Sequence, residues 1–91
     1  MEYNLEFFAN DRYKLLKLMH ENRVKVKDDF FVPLSQQEIA DMAHFSKLKT
    51  NQIINELIAF GCVLPYQNKR GKYEITDKGL KVLHLMQMSN R

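Results

Sequence analysis

The 91-residue sequence predicts a small α+β domain, mainly helical, in the order helix, strand, helix, helix, β-hairpin, helix. Three observations predict it. Serine N-cap signals at Ser35 and Ser46 open two short helical patterns separated only by His44-Phe45. A turn-rich stretch, Gln67-Asn68-Lys69-Arg70-Gly71, divides two short strand-like runs. Hydrophobic residues make up 45% of the chain, enough for one packed core and too many for global disorder.

The first helix starts at Asn10 or Asp11, both good N-caps, and runs to about Glu21. Leu15, Leu16, Leu18 and Met19 recur at helical spacing and are expected to face the core. Val24 to Asp29 reads as a charged connector. Phe30-Phe31-Val32-Pro33-Leu34 reads as a short strand that Pro33 confines to an edge or an end. Ser35-Gln36-Gln37-Glu38 is a capping box: the Ser35 hydroxyl accepts from the Glu38 N–H while the Glu38 carboxylate reaches back to the Ser35 N–H. Ile39, Ala40, Met42 and Ala43 give the helix that follows an apolar face.

Ser46 caps the third helix, predicted over residues 46–60, with Thr50, Ile53, Ile54, Leu57 and Phe60 on its inner side. Lys49, Asn51, Gln52, Asn55 and Glu56 fall outside, and Lys47 lies towards the edge. Gly61 stands where a left-handed residue ends a helix. Cys62 to Tyr66 and Lys72 to Ile75 form the hairpin, and Thr76 caps the last helix with Asp77 near its positive end. Leu80, Val82, Leu83, Leu85 and Met86 are its apolar residues. Two short helices with a tight break, then a two-stranded ribbon, make a winged helix-turn-helix. One domain occupies residues 1–91, with 1–9 as an N-terminal extension and 77–90 as a C-terminal helix.

The net charge of +3 becomes informative when divided along the chain. Residues 44–73 carry Lys47, Lys49, Lys69, Arg70 and Lys72 against Glu56 alone, a surplus of four positive charges. Residues 1–43 carry eight acids against six Lys and Arg. A local basic surface on a mildly acidic scaffold points to a polyanion partner. The third helix carries Lys47, Lys49, Asn51, Gln52 and Asn55, with Gln36 and Ser46 nearby at helix N-termini. Asn and Gln match the N6/N7 edge of adenine, Lys reaches guanine or phosphate, and Leu48 offers apolar contact to a thymine methyl. The hairpin tip, residues 66–73, places Lys69, Arg70 and Lys72 for phosphate or minor-groove contact. Simple capping also accounts for Ser35 and Ser46, and a charged tip also discourages edge pairing.

The stretch Ile39-Ala40-Asp41-Met42-Ala43-His44-Phe45-Ser46 resembles the helix-turn of bacterial winged-helix transcriptional regulators. Thr50, Ile53, Ile54, Leu57 and Gly61-Cys62-Val63 match that family's buried pattern, and Tyr73-Glu74-Ile75-Thr76-Asp77-Lys78-Gly79 resembles the strand-cap-helix of MarR-type and PadR-type members. The resemblance covers roughly residues 11–88. One departure is His44, where the family usually has Gly; His is among the residues that tolerate positive φ. The resemblance implies double-stranded DNA as partner. A chain of this length leaves little room for an effector pocket, so small-molecule regulation is not expected.

Leu5, Phe7 and Phe8 near the N-terminus, with Val82, Leu85 and Met86 on the last helix, are expected to form a homodimer interface, as a two-fold DNA site would require. The alternative is that each end closes over the monomer's own core. Cys62, the single cysteine, reads as a small buried hydrophobe in a reducing, cytoplasmic setting. There is no membrane-length apolar run and no secretory leader pattern. His20, His44 and His84 are scattered, and no catalytic constellation is recognisable, so no metal, cofactor or enzymatic activity is expected. The expected function is sequence-specific DNA binding by a small dimeric transcriptional repressor. The same surface would serve plasmid or phage partition or replication control, and a rival of another class is a winged-helix protein–protein module.

Overall fold

The computed structural model describes residues 8–69 and 71–89. Helix α1 spans Asp11–Glu21, and its N-cap is Asn10, whose side chain accepts from the Arg12 N–H at 2.9 Å. Leu15, Leu16 and Met19 are buried from it, and Leu18 packs partly against the core. The segment expected as a connector is instead half of a hairpin. Strand β1 (Val24–Val26) pairs antiparallel with β2 (Asp29–Phe31), and Val26 lies opposite Asp29. Lys27, at φ 59°, turns the chain between them. The turn carries no Gly or Asn, the residues that usually announce positive φ, and its two strands are only three residues long.

Helix α2 (Gln36–Ala43) begins at the predicted capping box, with both reciprocal bonds formed at 3.1 and 3.2 Å. Ile39, Ala40 and Ala43 are buried, but Met42 is 44% exposed. At about 100° per residue Met42 falls well off the stripe that the other three define. His44 ends α2 in the left-handed conformation, φ 59° and ψ 39°, and its N–H returns to the Asp41 carbonyl. The break before Ser46 is therefore the tight one that the sequence demands.

Helix α3 (Lys47–Ala59) is capped by Ser46, which accepts from the Lys49 N–H at 3.1 Å. Thr50, Ile53, Ile54 and Leu57 are its buried face, packed on α1 and α2. The Thr50 hydroxyl is buried with no hydrogen-bond partner among the described residues. Gly61 follows at φ +86°, and the Cys62 N–H bonds back to the Leu57 carbonyl, closing the helix as a left-handed terminus does.

Strands β3 (Val63–Pro65) and β4 (Tyr73–Ile75) pair with Val63 opposite Ile75 and Pro65 opposite Tyr73. Pro65 thus stands at the strand end, where its missing N–H costs no ladder bond. A 3-10 turn, Tyr66–Asn68, leads into the tip. The two hairpins are joined: Val32 and Tyr73 exchange backbone bonds of 2.6 and 3.1 Å. Phe31 stacks on Tyr66 with ring centroids 4.6 Å apart, and the Tyr66 hydroxyl donates to Asp29 at 3.3 Å.

Helix α4 (Asp77–Ser89) starts at Thr76, whose Oγ1 accepts from the Gly79 N–H at 3.1 Å and donates to the Gly61 carbonyl at 2.6 Å. Lys78 donates to the Phe60 carbonyl at 2.6 Å, a cation at the negative end of α3. Gly79 sits so close to this junction that a Cβ there would collide with the Cys62 carbonyl and stand 2.7 Å from Ile75 Cγ2. The expectation for the chain ends changes here. Phe8, Val82 and Met86 are buried in this chain's own core, with Phe8 edge-on to Phe60 at 5.0 Å. Covering that core occupies all three, so they are not open to a second copy. Leu85 is half-buried, while Leu5 and Phe7 lie outside the described residues.

Candidate nucleic-acid interface

Helix α3 projects an exposed outer surface, and the elements packed beside it divide that surface into two flanks. Residues four apart share a helix face. Lys47 and Asn51 follow that spacing and look towards the β3–β4 hairpin. There a groove of about 710 Å³ is lined by Gln36, Lys47, Asn51, Asn68, Lys69 and Gly71 among others. Among the described residues its lining includes Lys47 and Lys69 and no carboxylate. Two ammonium groups with no carboxylate among the described lining residues favour an anionic ligand there.

The other flank faces α1. Lys49, Gln52 and Glu56 line a smaller cleft with Asn10, Asp11 and Arg12. Lys49 is ion-paired with Asp11, its ammonium 4.4 Å from the centre of the Phe45 ring. Arg12 meets Glu56 at 2.6 Å. Glu56, the lone acid among residues 44–73, is held by a cation from α1 and does not line the groove on the hairpin side. Two cations and two carboxylates cancel in this cleft.

The residues singled out from sequence therefore separate. Gln36, Lys47, Asn51 and Lys69 converge on one groove. Asn55 adjoins it through Asn51, to whose Oδ1 it donates at 3.2 Å, and Asn51 in turn donates to Gln36 Oε1 at 2.9 Å. Lys49 and Gln52 belong to the opposite flank. Ser46 is engaged as the α3 cap. Lys72 lies over the Phe31 ring at 5.5 Å, towards the first hairpin. Arg70 lies outside the described residues. Leu48 is 79% exposed at the first turn of α3.

Two features, one residue and one ring stack, escape sequence reasoning. Asn68, at φ 57°, lines the groove from the hairpin tip, and its place in a turn signals only the turn. Phe31 and Tyr66 brace the β3–β4 hairpin against the first one; no local pattern announces a stack between residues so far apart. Cys62 is buried, and burial pushes its thiol pKa up against the opposing influence of Lys78, so it is held as an unreactive thiol. No helix among the described residues is long and apolar enough to cross a membrane.

No protein-family model and no curated protein matches the chain. Solved structures do. The reduced Fe(II) CO-sensing protein from R. rubrum superimposes with a TM-score of 0.72 at 18% identity, over 87% of this chain and 38% of that one. A transcriptional regulator of the CRP/FNR family from Thermus thermophilus superimposes with a TM-score of 0.66 at 16% identity, over 88% of this chain and 43% of that one. The likeness is one of fold. This chain spans about two fifths of each of those proteins, so the shared unit is a small, mainly helical α+β domain found within a CRP/FNR-family regulator.

Proposed function

We propose that this protein is a winged helix-turn-helix domain that binds double-stranded DNA, with α3 in the major groove and the β3–β4 hairpin as the wing on the phosphate backbone. The observation that carries the reading is the groove between α3 and the hairpin, with no carboxylate among its described lining residues, where Gln36, Lys47, Asn51 and Lys69 meet. A major groove about 12 Å wide accepts a helix, and the amides and ammonium groups beside α3 are the types that bond base edges and phosphates. The fold likeness to a CRP/FNR-family transcriptional regulator supports the same assignment, as does the MarR-type and PadR-type resemblance of residues 39–46 and 73–79. A protein-binding module has no need of this charge and amide arrangement.

Within this reading the protein acts as a cytoplasmic, dimeric transcriptional repressor. The dimer is the arrangement that a two-fold DNA site requires. Binding to random-sequence duplex, followed by fluorescence anisotropy between 50 and 200 mM salt, tests the core of the proposal. Contacts from Lys47, Lys69 and Lys72 predict a slope of log K against log salt of about −2.7 per subunit. Binding that is absent, or insensitive to salt, overturns it. Sedimentation in the same buffer that finds only monomer at about 10 μM removes the dimer and leaves DNA binding standing.

A further inference from the structure

Gln36, Asn51 and Asn55 form a chain of amides across the exposed surface of α2 and α3: Asn55 Nδ2 donates to Asn51 Oδ1 at 3.2 Å, and Asn51 Nδ2 donates to Gln36 Oε1 at 2.9 Å. A primary amide has two N–H donors and a carbonyl oxygen with two lone pairs. In the middle of the chain Asn51 has used one of each. It keeps one free N–H and one free lone pair. Reversing the direction of both bonds would leave the same remainder, so the middle position alone decides it. Because both ends of the Asn51 amide are held, its plane is restrained before any ligand arrives, and less rotamer entropy is left to lose.

A free donor and a free acceptor on one amide match the major-groove edge of adenine, where N7 accepts and the N6 amino group donates, when both lie on the amide edge turned away from Cβ. Guanine offers two acceptors there and cytosine a donor without an adjacent acceptor, so neither satisfies both free sites of Asn51. Resting on the DNA-binding reading above, we infer that Asn51 is the specificity-determining residue of α3 and selects adenine, and that Gln36 and Asn55 act as positioning residues that hold its amide plane. Leu48 lies one turn towards the N-terminus of α3 and is almost wholly exposed, so it contacts a thymine methyl beside that adenine.

The decisive variant is Asn51→Asp, which keeps shape and exposure and replaces the donor with a second acceptor. A carboxylate accepts from the cytosine N4 amino group and has nothing to give adenine N7. Selection of binding sites from a random duplex pool, run in parallel on the wild type, Asn51→Asp and Gln36→Ala, reads the outcome. The wild type is expected to enrich a motif with an invariant adenine, preferred over the other bases by about five- to 150-fold. Asn51→Asp is expected to move that one position from adenine to cytosine. Gln36→Ala is expected to flatten the preference there while the salt dependence stays unchanged, which a merely structural role would not do. An enriched motif that is identical for the wild type and Asn51→Asp overturns the inference and leaves DNA binding intact. No enriched motif and no salt-sensitive binding by the wild type overturns the reading on which it rests.

Discussion

The groove between α3 and the β3–β4 hairpin and the cleft between α3 and α1 are two sides of one helix, and the difference between them lies in what faces it. On the hairpin side stand the N-terminus of α2 and a tip with Lys69 and Asn68. On the α1 side stand Asp11 and Arg12, which neutralise Lys49 and Glu56. The surplus of positive charge in residues 44–73 is thus divided in space: paired charges fix α3 against α1, and unpaired ones are gathered where a polyanion can reach them. An exposed ion pair stabilises by only ~0–1 kcal/mol, so the Lys49–Asp11 pair orients more than it stabilises, while the Arg12–Glu56 pair is part-buried.

Reversing the charge on the hairpin side gives the largest expected effect. Lys47→Glu combined with Lys69→Glu removes the two phosphate contacts proposed for this side and adds repulsion, and DNA affinity near 0.1 M salt should fall at least about 50-fold. Both side chains are exposed, so far-ultraviolet circular dichroism and the melting temperature should stay close to wild type. An affinity within about two-fold of wild type would mean that the two flanks are interchangeable.

Next comes the junction that holds the hairpin in place. Gly79→Ala forces a methyl group against the Cys62 carbonyl and Ile75, and neither belongs to a flexible side-chain end that could yield. Overpacking of this kind costs roughly 1–3 kcal/mol, and each kcal/mol lowers the melting temperature of a domain this size by ~4–8 °C. Calorimetry should record that drop. An unchanged melting temperature would show that β4 and α4 can separate freely, and the hairpin-side groove would lose its rigid wall.

The helices and their caps were legible in the sequence because each rests on residues three or four apart: Ser35 with Glu38, Ser46 with Lys49, and the buried set Thr50, Ile53, Ile54 and Leu57. The division of α3 into two flanks was not legible. It depends on Arg12 meeting Glu56 and Asp11 meeting Lys49, pairs far apart in the chain that only the packed fold brings together. The first hairpin escaped because its turn uses Lys27 at positive φ without the usual Gly or Asn. Phe8, Val82 and Met86 illustrate a different limit. Apolar spacing says that a residue must be covered, and only the tertiary packing says that the cover is this chain's own core.

Asp11→Asn gives the smallest effect and the sharpest test of the two-flank arrangement. It releases Lys49 from its partner and removes one negative charge from the α1 side, so the neutral cleft gains one unit of positive charge. A single charge acting across about 8 Å of water changes an interaction with phosphate by on the order of 0.5 kcal/mol, and salt screening reduces it further. DNA affinity should therefore rise about two-fold at 50 mM salt, and the gain should fade at 200 mM. The fold should lose a few tenths of a kcal/mol to ~1 kcal/mol, because Asp11 also sits in the first turn of α1, where a carboxylate is favoured by the helix dipole. A ten-fold gain in affinity, with a salt slope steeper by about one unit, would mean that Lys49 reaches a phosphate as soon as it is freed. In that case the Asp11–Lys49 pair acts as a brake on binding, and the α1 side is a second phosphate contact held in check.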